Sequence, residues 1–149
     1  MRGFVLGILI AGLMLSCMRA PQAAMPDPRP QKMTEIIALW AQIRGFRREA
    51  HMDLDPNPTT ELQWRTKTVS EAARVCPDGH QVPKTCGEIC SLADAICDNA
   101  EAICGLANEL GKDDQAAQEK CTSAKASCRE AKQRCCNCSK DTTAGEPSF

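Results

Sequence analysis

The chain has 149 residues, a formal net charge of −1, eleven cysteines and only 3% aromatic residues. That length holds a single domain of ordinary size. A net charge of −1 is too small to imply steering to nucleic acid or to anionic lipid.

The chain opens MRGFVLGILIAGLMLSC, with Arg2 ahead of an apolar run from Phe4 to Leu15. The run is too short for a stable bilayer-spanning helix and right for the h-region of a signal peptide. It closes on Leu13-Met14-Leu15-Ser16-Cys17. This resembles a bacterial lipobox, with small Ser16 before the cysteine, apolar residues upstream and no charge in the run. The resemblance implies that residues 1–16 are removed as a lipoprotein signal peptide. It also implies that Cys17 carries a thioether-linked diacylglycerol and an acylated amino group. Several acyl chains anchor stably where one is marginal. An ordinary secretory cleavage near Ala23-Ala24 lacks a good A-x-A site. Met18 rather than Asp after Cys17 points, by the same resemblance, to the outer membrane instead of the inner. Exported cysteines meet oxidising conditions and pair.

From Met18 onward, 17 of 132 residues are Leu, Ile, Val or Phe, about 13%, and none stands between Gly111 and Ser148. That is below the roughly 20% at which folding on apolar burial alone becomes doubtful. An ordinary oily core cannot hold the last third of the chain.

Residues 17–31, with the proline-rich stretch MRAPQAAMPDPRPQ, are expected to form a lipid-anchored tether. Two helices are expected over 32–75. In the first, from Lys32 to about Met52, Met33, Ile36, Trp40 and Ile43, with Ile37, Leu39 and Phe46, recur at helical spacing. DLDPNP breaks it, because each proline disfavours helix in the residue before it. Thr59 or Thr60 is expected to cap the second, which runs to about Val75 with Leu62, Trp64, Val69 and Ala73 for packing. CPDGHQVPK is a loop. A third helix is expected to start at the capping-box pattern Thr85-x-x-Glu88 and to end at Gly111. Asp113 or Asp114 is placed to cap a fourth that reaches Cys136, carboxylates being favourable at a helix N-terminus. The tail over 139–149 is polar and is expected to be disordered.

Cysteines fall at 90, 97 and 104, and again at 121, 128 and 135. Residues seven apart share a helix face but lie about 10.5 Å apart along it, too far for a bridge within one helix. Folding the third and fourth helices into an antiparallel hairpin about GKDD brings the two stripes together. Cys90 then meets Cys135, Cys97 meets Cys128 and Cys104 meets Cys121, each pair of numbers adding to 225. With these cysteines at heptad position a, Ala93, Ala100, Ala107, Ala117, Ala124 and Ala131 occupy d. Such small residues let helices close to about 8 Å, as a disulfide with Cα atoms at most about 6.8 Å apart requires. Cys86 and Cys138 fit the d layer as a fourth rung, and Cys76 with Cys136 completes the count, although Cys76, Cys86, Cys136 and Cys138 can permute among themselves. In this register Asp94 faces Lys132 and Glu101 faces Lys125. Charge agrees: five acids and one base lie between Lys84 and Leu110, against seven bases and four acids between Lys112 and Lys140. The other flank of the third helix carries Ile89, Ile96, Ile103 and Leu110 beside Leu92 and Leu106, a stripe that must bury against the N-terminal helices.

The expected fold class is therefore all-α, a small helical bundle whose C-terminal antiparallel α-hairpin is cross-linked by a disulfide ladder over 84–138. In architecture alone it resembles exported copper-storage proteins, small helical bundles with inward cysteines, since free thiolates suit Cu(I). Those favour C-x-x-x-C within helices, a spacing that only Cys86–Cys90 has here. The Cys135–Cys138 cluster lacks a zinc knuckle partner, and Cys136-Asn137-Cys138 fits the end of a ladder better than a redox dithiol. His51 and His80 have no nucleophile or carboxylate at motif spacing, and Trp40 and Trp64 are read as core.

The segment TCGEICSLADAICDNAEAICGLANELGKDDQAAQEKCTSAKASCREAKQRCCNC, Thr85 to Cys138, resembles a set of uncharacterised cysteine-rich bacterial lipoproteins. The likeness implies an envelope location and transfers no activity. In shape alone the stapled hairpin is similar to plant helical-hairpin defence peptides. The expected role is structural or interactive at the cell envelope, without catalysis, cofactor, metal or nucleic-acid partner. Membrane attachment is expected through the lipid on Cys17, and a protein partner through the exposed polar face of the fourth helix. Cu(I) binding or storage is the alternative.

Overall fold

The computed structural model describes residues 27–138, which are helical, with no strand among them. Residues 1–26 and 139–149, and with them the expected signal peptide, Cys17, most of the expected tether and the expected tail, lie outside the described residues. Five helices follow in order: α1 (Arg29–Glu49), α2 (Pro58–Trp64), α3 (Val69–Ala73), α4 (Gly87–Leu110) and α5 (Gln115–Cys136). No described helix is long and apolar enough to cross a membrane.

α1 begins three residues before the expected helix start at Lys32, so the last three residues of the expected tether are helical. Pro28 stands at its N-cap and Pro30 in its first turn, where a missing N–H costs nothing because that donor has no intrahelical partner. Ile36, Trp40, Ile43 and Arg47 form its buried stripe. Ile37 turns away and is 57% exposed. The helix ends in a Schellman motif. His51 takes the left-handed conformation (φ 53°), its N–H donates to the Arg48 carbonyl and the Met52 N–H to that of Arg47, at 3.0 and 2.9 Å.

The single helix expected to run from Thr59 or Thr60 to Val75 is two. Asn57, not a threonine, caps α2 by accepting the Thr59 N–H at 2.8 Å, and Pro58 fills the first position. The chain breaks over 65–68, and Thr68 and Glu71 then form a reciprocal capping box for α3. Accepting the Thr68 backbone N–H, and then its hydroxyl, holds the Glu71 carboxyl below its ordinary range. Leu62, expected to pack, is 65% exposed.

The Thr85-x-x-Glu88 pattern does not cap α4. A 3-10 turn at Lys84–Cys86 leads into the helix from Pro83, and the cap residue Cys86 makes no side-chain cap bond. The entry angle is set by Cys86, fully buried and bridged to Cys138. Gly111 ends α4 with φ 100°, ψ 162°, a conformation open only to glycine. Asp114 caps α5 through the Ala117 N–H and also grips Arg29 at 2.7 Å. Those bonds, the Arg29 guanidinium first, hold its carboxyl below the usual carboxylate range.

Three long helices make the bundle. α1 runs antiparallel to α4, as Lys32–Glu109 (2.7 Å) and Gln42–Asn99 (3.1 Å) show, and parallel to α5, joined by Arg29–Asp114 and Arg47–Glu130. α2 and α3 lie across α5. The isoleucine flank of α4 buries against α1, with Ile96 and Ile103 fully covered.

Candidate functional site

The hairpin of α4 and α5 is a ladder. From the turn outward, Cys104–Cys121 and Cys97–Cys128 hold Cα atoms 4.6 Å apart, and Cys90–Cys135 holds them 4.8 Å apart. Cys86–Cys138, at 6.0 Å, closes the base. Cys76–Cys136, at 5.4 Å, ties the segment after α3 to the end of α5. The first three are the pairs whose numbers add to 225, and the structure selects one arrangement among the four cysteines that the register left open. Between the rungs Ala93, Ala100, Ala107, Ala117, Ala124 and Ala131 are all 2% exposed or less. Methyl side chains there allow the close approach that the sulfur bridges need.

Asp94 pairs with Lys132 across the seam, as the register requires. Glu101 does not pair with Lys125. The Lys125 ammonium points instead into the break between α2 and α3 and donates to the carbonyls of Arg65 and Lys67, both at 2.8 Å. These carbonyls lose helical partners where α2 stops, and a cation at a helix C-terminus satisfies them. Burial lowers the Lys125 pKa. The same contact explains the broken helix: a local pattern does not reveal a cation arriving from sixty residues away.

A second polar node lies at the other end of α2. Arg47, 1% exposed, donates to the carbonyls of Asp53 (2.7 Å) and Asp55 (3.1 Å) and to Glu130 Oε2 (2.9 Å). Glu130 Oε1 accepts the Asn57 N–H at 2.9 Å. One ion pair thus fixes the loop after α1 and the start of α2 onto α5. Sequence reasoning missed it, yet it left a signal: Arg47 continues the Ile36, Trp40, Ile43 stripe, where an unpaired charge would not be tolerated. Trp64, read as core, is 9% exposed, and the Arg129 and Lys67 cations stand 4.9 and 5.0 Å from its ring centre. Lys120 stands over Trp40 at 5.1 Å.

The polar face of the fourth helix is not continuous. Lys125, Ala126, Ser127 and Cys128 are all buried in the middle of α5, where the break between α2 and α3 packs on it. Its exposed residues lie in the last turn, Gln133 and Arg134, and at the start, Gln115, Ala116 and Glu119. There Gln115, Gln118, Glu119 and Ser123 line a cleft of about 870 Å³ with Pro58, Leu62 and Lys112. A smaller cleft of about 310 Å³ runs between α3 and α4, lined by Val69, Ala73, Asp98 and Glu101. His51 and His80 are exposed, and no cluster of three or more His, Cys, Asp or Glu suited to a metal ion occurs among the described residues. No protein-family model, no curated protein and no solved structure matches the chain.

Proposed function

We propose that the protein is an exported, lipid-anchored constituent of a bacterial cell envelope, with a structural or interaction role and no catalysis. The stretch ending Leu15-Ser16-Cys17 supports the location, since its apolar run and small residue before cysteine are what lipoprotein processing reads. The pairing of all ten cysteines after Cys17 supports the structural role. Cross-linked helices form a rigid post, and rigid elements present a surface at low entropic cost. The partner surface in this reading is the open N-terminal end of α5 with the exposed side chain of Leu62.

The test is intact mass spectrometry of the protein extracted from envelopes without reductant, with thiol alkylation. Expected is a chain that begins at a diacylglycerol-modified Cys17 and takes up no alkylating agent. A chain starting elsewhere, or ten free thiols that bind several Cu(I) ions, overturns the reading.

A further inference from the structure

The five bridges are not equally placed. Cys97, Cys128, Cys104 and Cys121 are 9% exposed or less, and Cys135 and Cys86 are buried too, so every rung has at least one covered partner. Cys76–Cys136 alone has neither residue buried. It also differs in what it joins. The four others lie within 86–138, whereas Cys76 follows α3 in a non-helical stretch that turns at Pro77–His80 with Gly79 at φ 77°. That stretch has a second tie beside the bridge, the Arg129 guanidinium donating to the Arg74 carbonyl at 2.9 Å.

We propose that Cys76–Cys136 is a thiol–disulfide exchange site for a dithiol partner, separable from the ladder. Exchange needs a thiolate in line with the sulfur–sulfur axis, so access selects which bridge reacts. A dithiol thiolate attacks the Cys76 sulfur, and the bridge breaks with its electron pair on Cys136. A mixed disulfide then joins Cys76 to the partner. The partner's second thiolate closes on its own sulfur and releases Cys76. The partner leaves as a disulfide, two electrons have passed to the bridge, and protons end on Cys76 and Cys136. The pair Cys136-Asn137-Cys138 is not itself the exchanging dithiol, because its cysteines are joined to different partners.

The test is stepwise dithiothreitol treatment of the folded protein near neutral pH, with maleimide quenching and peptide mapping. Expected is a first species labelled at Cys76 and Cys136 only, its far-ultraviolet circular dichroism unchanged. It should form with at least about ten times less dithiol than any rung requires. The double variant Cys76→Ser/Cys136→Ser should fold and take no label at that concentration. Opening of all five bridges together, or a rung opening first, overturns the proposal. So does label on Cys76 and Cys86 with Cys136 joined to Cys138, which means that the base permutes instead of opening, or a rung that opens in the double variant at the same low dithiol.

Discussion

Lys125, in the middle of α5, reaches the carbonyl oxygen of Arg65 at 2.8 Å and, with the same ammonium, that of Lys67. The contact carries a pH signature. Burial places the folded-state pKa below the ordinary 10.5, so the unfolded chain holds the proton more tightly. Stability then rises as pH climbs through the window below 10.5. Guanidinium unfolding at several alkaline pH values should show this rise in the native protein and a flatter curve in Lys125→Met. Equal slopes would mean that Lys125 is not desolvated.

Arg47 and Glu130 should be strongly coupled. Glu130→Ala leaves a guanidinium buried without its counter-charge and is expected to cost about 3–5 kcal/mol. Adding Arg47→Met removes the orphaned charge. The double variant should therefore be less destabilised than the sum of the singles by more than about 1 kcal/mol. A thermodynamic cycle from urea unfolding checks this, and additivity would contradict it.

Two backbone sites give opposite signs. His51 occupies the left-handed position of the Schellman motif at φ 53°, where glycine is free of strain. His51→Gly is expected to raise stability by up to about 1 kcal/mol. Gly111, at φ 100°, admits no side chain, and Gly111→Ala should cost about 1–3 kcal/mol. Thermal unfolding of both variants provides the measurement.

Much of the hairpin is legible because its signal is repetitive. Cysteine every seventh residue, alanine between and complementary charge on the flank converge on one register, so a slip loses several contacts at once. Single local signals fare worse. Thr68-x-x-Glu71 and Thr85-x-x-Glu88 carry the same capping pattern, yet only the first forms the box, because the Cys86 bridge and the turn from Pro83 already dictate how α4 begins. Leu62 has the residue type for a core and lies where no element covers it. The α2–α3 break and the partnership of Lys125 rest on one long-range contact without periodicity. The isolated Arg47 in an apolar stripe was readable as a charge in need of a partner, but not as Glu130.

Removing the rung nearest the turn by Cys104→Ser/Cys121→Ser frees a loop of 17 residues. The chain-entropy estimate is a loss of about 3 kcal/mol. The guanidinium midpoint should fall accordingly while helicity persists, since the remaining rungs keep the register. Loss of all structure in this variant would mean that the turn-proximal rung nucleates the hairpin alone.

The most direct test of the ladder as a substitute for an apolar core is complete reduction and alkylation of the ten paired cysteines, followed by hydrogen exchange resolved along the chain. Expected is loss of protection throughout α5, which has no Leu, Ile, Val or Phe. A fully reduced protein that keeps α5 protected and compact would contradict the account.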